Sequence, residues 1–351
     1  MGGFKIGERM LGPGHPPLLL PDIGTFFNQD LAAAFRLVDG LQAAGAELIK
    51  GELLHDPDVC LDDQTFETYY APNRRHTVSE RYRALIERKV LPLSKYEELF
   101  SECNRRQLSF VVSVYDFVGA DFAYDLKAAA LKIATSNVVH EPLIRYVARM
   151  GLPMIIDTGR STMAEVTRAV GWAREEGELK LIVEHSPPPP PTEIDQQNLR
   201  VLDVLSNTFD CLVGLSDHHA GPEMMYAAAA LNASVLEKGV YPDGTSDDQD
   251  VAHAIPVSQF AEVLRTCNTI FRGLGCPQLP PVQQKKLSRM GLVAKRELAE
   301  GELITLDTAG FAFPAKGIGV EHWGIIEGWR VRRALPPGTP ITWRDVEPLA
   351  A

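Results

Sequence analysis

From about residue 17 to residue 275, short apolar runs alternate with longer amphipathic stretches. The runs are LLLPDIG (18–24), ELIKGEL (47–53), LSFVVSVYD (108–116), ALKIATS (130–136), LPMIIDTG (152–159), LKLIVEHS (179–186), CLVGLSDH (211–218) and ASVLEKGV (233–240). Each stays near-continuously apolar until its last residues turn polar. A strand covered on both faces has this pattern. Segments with helical spacing lie between the runs, at 31–45, 94–107, 162–177, 198–207, 222–232 and 257–275. The first puts Leu31, Phe35, Val38 and Leu41 on one face, and the third opens on Thr-x-x-Glu, an N-terminal capping pattern. Strand–helix alternation implies right-handed βαβ units on a parallel sheet. Eight such units over roughly 260 residues predict an α/β fold of the (β/α)8 TIM-barrel type. An open doubly wound sheet is the competing arrangement, and it leaves one or two of the runs without a place.

The pattern changes after residue 275. CPQLPPVQQKKLSR (276–289) is rich in Pro and Gln, and from 289 onward short strand-like pieces are punctuated by Gly and Pro. The expected organisation is a barrel over 1–280, a linker over 281–288 and a small β-rich domain over 289–351. A polar insertion at 55–93 follows the second run. Long connections of this kind usually serve as lids or binding loops.

Composition narrows the class. Of 351 residues, 45% are hydrophobic and 23% charged, the balance of a chain that buries a sizeable core. The net charge of −11 argues against nucleic acid and anionic membrane as partners. The five cysteines, Cys60, Cys103, Cys211, Cys267 and Cys276, are odd in number and form no CxxC pair. Neither a disulfide framework nor a zinc knuckle is expected, and a reducing, cytoplasmic location is. The opening residues lack a signal peptide's apolar run, and no stretch approaches the ~18 apolar residues of a membrane-spanning helix.

A barrel of this type places its chemistry at the C-terminal ends of its strands. The polar residues there are Asp22; Lys50 and Glu52; Ser113 and Asp116; Lys132, Thr135 and Ser136; Asp157; Glu184 and His185; Ser216, Asp217 and His218; Glu237 and Lys238. Lysines are seldom buried unless paired. Lys50 and Lys132, with the hydroxyls of Ser113, Thr135 and Ser216, suit a phosphate or carboxylate. Alternatively, each neutralises a barrel carboxylate such as Asp22 or Glu52. The run SDHH (216–219) is the best metal candidate. His218, with Glu237 one strand over and Asp22 across the mouth, gives a mixed N/O set suited to Mg2+ or Mn2+; His219 points the other way.

The residues then resemble a known family. PDIGTFFNQDLAAAFRLVDGLQAAGAELIKGE resembles the opening of sialic acid synthases. SVYD, LKIATSNVVHEPLI, PMIIDTGRSTMAEV, GLSDHHAG and ASVLEKGV follow in that family's order. The tail from Gly291 resembles the SAF or antifreeze-like domain, a β-clip fold, and the spore-coat polysaccharide biosynthesis protein E group belongs to the same family. The resemblance implies condensation of phosphoenolpyruvate with an aldose, N-acetylmannosamine or a relative, to a 2-keto-3-deoxy sugar acid for surface polysaccharide. It implies a divalent cation, Mn2+ or Mg2+, and a homodimer whose SAF domain covers the partner barrel. Lys50, Ser113, Lys132, Thr135 and Ser216 correspond to phosphoenolpyruvate-binding positions and His218 to one metal-binding histidine. Asp22 stands for a family glutamate, Asp250 for the acidic residue of a GPD segment, and Glu237 keeps the glutamate of EKH.

Several positions depart from the family. Gly239 replaces the second metal histidine, leaving His185, Glu184, His253 or Glu237 as possible substitutes. Glu52 replaces a glutamine and Asp157 a serine facing the phosphoenolpyruvate. Pro187–Pro191 replaces a polar loop against the substrates. Phe313 stands where an arginine meets the sugar's acyl group, which predicts an acceptor without that group or with an apolar one. Two further readings stay open: related carbon–carbon chemistry with another donor or metal arrangement, and a non-catalytic paralogue.

Overall fold

The computed structural model describes residues 2–71, 76–177, 180–188, 194–244, 249–279 and 287–349. The chain divides into two compact units, one ending at Gly275 and one starting at Cys276. Residues 281–286 of the expected linker and 189–191 of the proline run lie outside the described residues.

The first unit is a closed barrel of eight parallel strands. These are β1 (Leu18–Gly24), β2 (Leu48–Leu53), β3 (Ser109–Val114), β4 (Ala130–Ile133), β5 (Met154–Asp157), β6 (Leu181–His185), β7 (Leu212–Asp217) and β8 (Val235–Tyr241). Each pairs with its neighbours in sequence, and β8 pairs with both β7 and β1. That last pairing excludes the open sheet and leaves no barrel strand at an edge.

The helices follow in alternation: α1 (Leu31–Ala43), α2 (Tyr82–Lys89), α3 (Leu93–Arg105), α4 (Phe117–Asp125), α5 (Glu141–Arg149), α6 (Met163–Glu175), α7 (Val201–Phe209), α8 (Glu223–Ala230) and α9 (Val257–Leu274). At the start of α6, Thr162 and Glu165 form a reciprocal capping box. The sequence pattern does not single out α4 or α5. Phe117, Val118 and Tyr124 of α4 are exposed, which blurs its period. Only nine residues long, α5 is too short to repeat its period more than twice. The 55–93 insertion holds the hairpin Phe66–Ala71/His76–Arg81 and α2.

Strand parity sets the interior. Leu18, Leu20, Leu48, Val111, Ala130, Ile155, Ile182, Leu212 and Val235 form an inner apolar cluster, joined by Ile6 and Leu11 of an N-terminal hairpin (Phe4–Ile6/Arg9–Leu11). Side chains two residues apart on a strand share a face. The next inward positions are therefore Asp22, Lys50, Ser113, Lys132, Asp157, Glu184, Gly214 and Glu237. A layer of charge thus sits directly on a layer of hydrocarbon. The outward positions, such as Leu19, Ile49, Val112 and Leu131, pack under the helices in a separate core.

In the second unit, Gly291–Ala294 pairs antiparallel with Ala309–Ala312, and Arg330–Val331 with Val346–Glu347. Its own core contains Leu292, Ile304, Ile318, Val331, Leu335 and Ile341. Among the described residues, no helix is long and apolar enough to cross a membrane.

Candidate active site

One cavity of about 450 Å3 opens at the strand C-termini of the barrel. Asp22, Lys50, Glu52, Ser113, Lys132, Thr135, Asp157, Ser216, His218, Glu237 and Asp250 all line it. The topology thus gathers residues more than 200 positions apart. Three sequence candidates, Glu184, His185 and Phe313, are not in this lining, and Glu184 is fully buried. His185 is buried with Nε2 2.8 Å from the Gln197 carbonyl oxygen, and Phe313 is exposed on the second unit.

Both barrel lysines are paired. Lys50 Nζ donates to Asp22 Oδ2 at 2.6 Å and to Glu52 Oε1 at 3.1 Å, with Glu237 Oε1 at 3.6 Å. Lys132 Nζ donates to Glu237 Oε1 at 2.6 Å and contacts Glu184 Oε2 at 2.8 Å and Asp157 Oδ2 at 3.1 Å. The structure thus shows the alternative expectation, each lysine neutralising carboxylates, with both residues lining the cavity. Two ammonium groups face five carboxylates: Asp22, Glu52, Asp157, Glu184 and Glu237.

Burial and this surplus of acid split the carboxyl groups. Burial, with the nearby Glu52 and Glu237 charges, raises Asp22 to about 7 despite Lys50. Burial likewise raises Glu184 to about 8, with Glu237 and Asp157 adding to the effect against Lys132. Asp157 moves the other way, to about 2. Burial opposes that shift, but Lys132, the Gly159 amide, His218 and the Thr135 hydroxyl outweigh it. Glu237 is held low against its burial by Lys132 and Lys50, and Glu52 by Lys50 and Lys89. Carboxyl groups so divided, some retaining protons near neutrality and some fully ionised, can serve acid and base roles. Ser113 Oγ and Glu237 Oε2 are buried without hydrogen-bond partners. Such atoms cost free energy unless a ligand or water satisfies them.

Local structure fixes His218. Lys238 points out of the barrel and donates to Asp217 Oδ2 (2.7 Å), the His219 carbonyl oxygen (2.6 Å) and the Gly221 carbonyl oxygen (2.9 Å). It thereby clamps the loop after β7. His218 Nδ1 lies 3.0 Å from the Pro187 carbonyl oxygen. A ring nitrogen facing a carbonyl must carry a proton, so Nε2 is the ring nitrogen that can offer a lone pair. His219 turns away, with Nε2 3.4 Å from Glu223.

The divalent cation that the resemblance implies must fit these residues. The place for the second histidine is crowded. A Cβ on Gly239 would stand 3.0 Å from the Phe26 ring and 3.1 Å from Ala254 Cβ. Among the described residues, no group of three or more His, Cys, Asp or Glu side chains is placed to hold a metal. A pair of imidazoles is present, however. The ring of His253 stands edge-to-face with His218, with centroids 4.7 Å apart. Its Nδ1 is buried without a partner. Burial, with the charges of Lys238 and Lys89 and the His218 ring, holds His253 neutral, well below the usual histidine range. Two imidazoles fit a cation that takes its remaining ligands from water or substrate.

Lys89, Tyr82 and Leu85 from the 55–93 insertion, together with Tyr115, Arg160 and His253, also line the cavity. Sequence reasoning named His253 and Glu184 only as possible substitute ligands and left the other five unassigned. Parity with Ile182 and Asp157 is the signal that finds Glu184. The insertion carries no periodic signal that would find Lys89.

Comparisons with known proteins show the family and the fold. The model of the family described as NeuB family matches residues 37–278, and that of the SAF domain matches residues 289–347. An uncharacterized protein of Methanocaldococcus jannaschii is 27% identical, over 99% of both chains. The N,N'-diacetyllegionaminic acid synthase of Legionella pneumophila is 25% identical, over 97% of this chain and 98% of its own. Among solved structures, the spore coat polysaccharide biosynthesis protein SpsE of Bacillus subtilis superposes with a TM-score of 0.66 at 23% identity, over 100% of both chains.

Proposed function

This chain is an enzyme of the NeuB family whose barrel is followed in sequence by a SAF domain, and from that premise we propose that it condenses phosphoenolpyruvate with an aldose to a 2-keto-3-deoxy sugar acid. The observation that carries this reading is the cavity floor, where Lys50 and Lys132 stand among Ser113, Thr135 and Ser216. A donor with one carboxylate and one phosphate matches two ammonium groups ringed by hydroxyls. The ammonium groups would exchange carboxylate partners for the donor's anionic ends. The unpartnered Ser113 Oγ and Glu237 Oε2 would gain hydrogen bonds at the same time.

The chemistry balances with the groups in place. C3 of the enol forms a bond to the aldehyde carbon, and the aldehyde oxygen takes a proton. Asp22, raised to about 7 and lining the cavity, is suited to give that proton. Water adds at C2 and passes its proton to a cavity carboxylate. The C2–O bond to phosphate breaks as the new C2 hydroxyl gives its proton to the departing phosphate, leaving the ketone and inorganic phosphate. A divalent cation, when bound, supplies polarisation of the aldehyde oxygen. His218 and His253 would hold it.

A second reading rests on the five carboxylates. They leave no ammonium group without an anionic partner, which favours a less charged enol donor on the same barrel. Acceptor-dependent phosphate release from phosphoenolpyruvate, across a panel of hexosamines and aldoses with Mn2+, separates the two. The proposed reaction predicts release with at least one acceptor. It also predicts a loss of about a hundredfold or more in kcat/KM for Lys50→Ala and for Lys132→Ala, each removing a charged contact. A folded protein that releases phosphate with no acceptor overturns the proposal and leaves the second reading.

A further inference from the structure

The geometry points to a rebuilt cation site in which His253, from the turn after β8, supplies the imidazole that β8 itself lacks. This inference deepens the proposed function and rests on the barrel mouth being its site. Four side chains were candidates to stand in for the missing ligand at Gly239, and the structure separates them; Glu237 is engaged by Lys132 at 2.6 Å. His185 is turned away, its Nε2 engaged by the Gln197 carbonyl oxygen at 2.8 Å. Glu184 is fully buried beneath the cavity, 2.8 Å from Lys132. Only His253 faces His218, with ring planes at 81° and centroids 4.7 Å apart.

That spacing suits shared coordination. Two imidazole nitrogens each ~2.1 Å from one cation, with a right angle at the cation itself, put the ring centroids roughly 4.6 Å apart. Each ring also has a nitrogen to offer. His218 Nδ1 is taken by the Pro187 carbonyl oxygen at 3.0 Å, which leaves the Nε2 lone pair unused. A backbone carbonyl orienting a ligating histidine in this way is a recurrent outer-shell arrangement. His253 Nδ1 is buried with no partner, and its Nε2 is 3.8 Å from Asp250 Oδ1, beyond hydrogen-bond distance.

The loss at 239 and the gain at 253 are physically linked. The Phe26 ring and Ala254 fill the space beside Gly239. Ala254 adjoins His253 in sequence, so the segment that closes one ligand position carries the other. Two imidazole nitrogens favour a first-row transition ion over Mg2+, which prefers oxygen ligands and retains its water.

The test is metal binding without substrates. Metal-stripped protein is titrated with Mn2+, and free ion is read from its electron paramagnetic resonance signal. A parallel calorimetric titration compares Mn2+ with Mg2+. One Mn2+ per chain is expected, bound more tightly than Mg2+. His218→Ala and His253→Ala should each weaken Mn2+ binding at least tenfold, while His219→Ala should not. Circular dichroism checks the fold of each variant, and His253→Gln substitutes if the alanine variant does not fold. Wild-type protein that binds no Mn2+, or His253 variants that bind it as wild type does, overturns the inference. Phosphoenolpyruvate binding to metal-free protein is measured alongside. If it persists while metal binding fails, the cation site alone is wrong. If it is absent while metal binding holds, the donor assignment is wrong.

Discussion

At the scale of single residues, Glu184 sets the electrostatics of the barrel mouth. It is buried between Lys132 and two other acids, and its carboxyl is raised from 4.5 to about 8. Between those values the folded protein holds a proton that the unfolded chain has released. Stability attributable to this group therefore falls as pH rises through that window. Glu184→Gln should remove the dependence. Urea unfolding should show variant and wild type closest near pH 5, with the variant gaining on the order of a few kcal/mol relative to wild type by pH 8.5. Equal slopes in both proteins would mean that Glu184 is already ionised in the fold at pH 5. The same two ionisations, Asp22 near 7 and Glu184 near 8, add negative charge where an anionic donor is proposed to bind. Calorimetric affinity for phosphoenolpyruvate should weaken between pH 6.5 and 8.5, and Glu184→Gln should flatten the upper part of that profile.

At the scale of elements, strand parity converts a linear pattern into layers. Gly214 occupies the one inward position of the charged layer with no side chain. A Cβ there would lie 2.9 Å from Glu184 Cγ and 3.0 Å from the Val235 carbonyl oxygen. The backbone oxygen cannot yield without disturbing the β7–β8 ladder. Gly214→Ala should therefore destabilise the barrel by roughly 1–3 kcal/mol. Gly171, inside α6, is the contrast, because a Cβ there meets nothing within 4 Å. Gly171→Ala should stabilise by about 0.5–1 kcal/mol through helix propensity. Thermal unfolding of the two variants side by side measures both. The same element-level view assigns a task to the buried Lys238–Asp217 pair, which holds the loop bearing His218 rather than contacting substrate.

At the scale of the whole molecule, the second unit leaves Leu306, Phe313, Ile325 and Trp343 about half exposed. That is much apolar surface for so small a unit, and such surface commonly marks an interface. Together with the homodimer that the family resemblance implies, it predicts a sedimentation-equilibrium mass twice that of the 38.7 kDa chain. Phe313→Ser with Ile325→Ser should shift the mass toward the monomer. A monomeric wild type at micromolar concentration would count against the dimer.

The barrel, its eight strands and the β-rich tail were legible in the sequence, because burial on both strand faces imposes continuous apolar runs and polar strand ends mark a barrel's mouth. The order of motifs was legible too, and with it the family. The partners of the charged residues were not. Which carboxylate meets which lysine depends on the stagger between neighbouring strands, and that stagger brings Glu237 to Lys132 across 105 positions. Nor could a linear reading place His253 beside His218, since the turn after β8 has no periodic signal. The sequence determined which chemistry the strand ends could carry. Only the closed barrel decided which groups share a proton, which buried atoms lack a partner, and which second imidazole faces the first. Those outcomes depend on distances of a few ångströms between segments far apart in the chain.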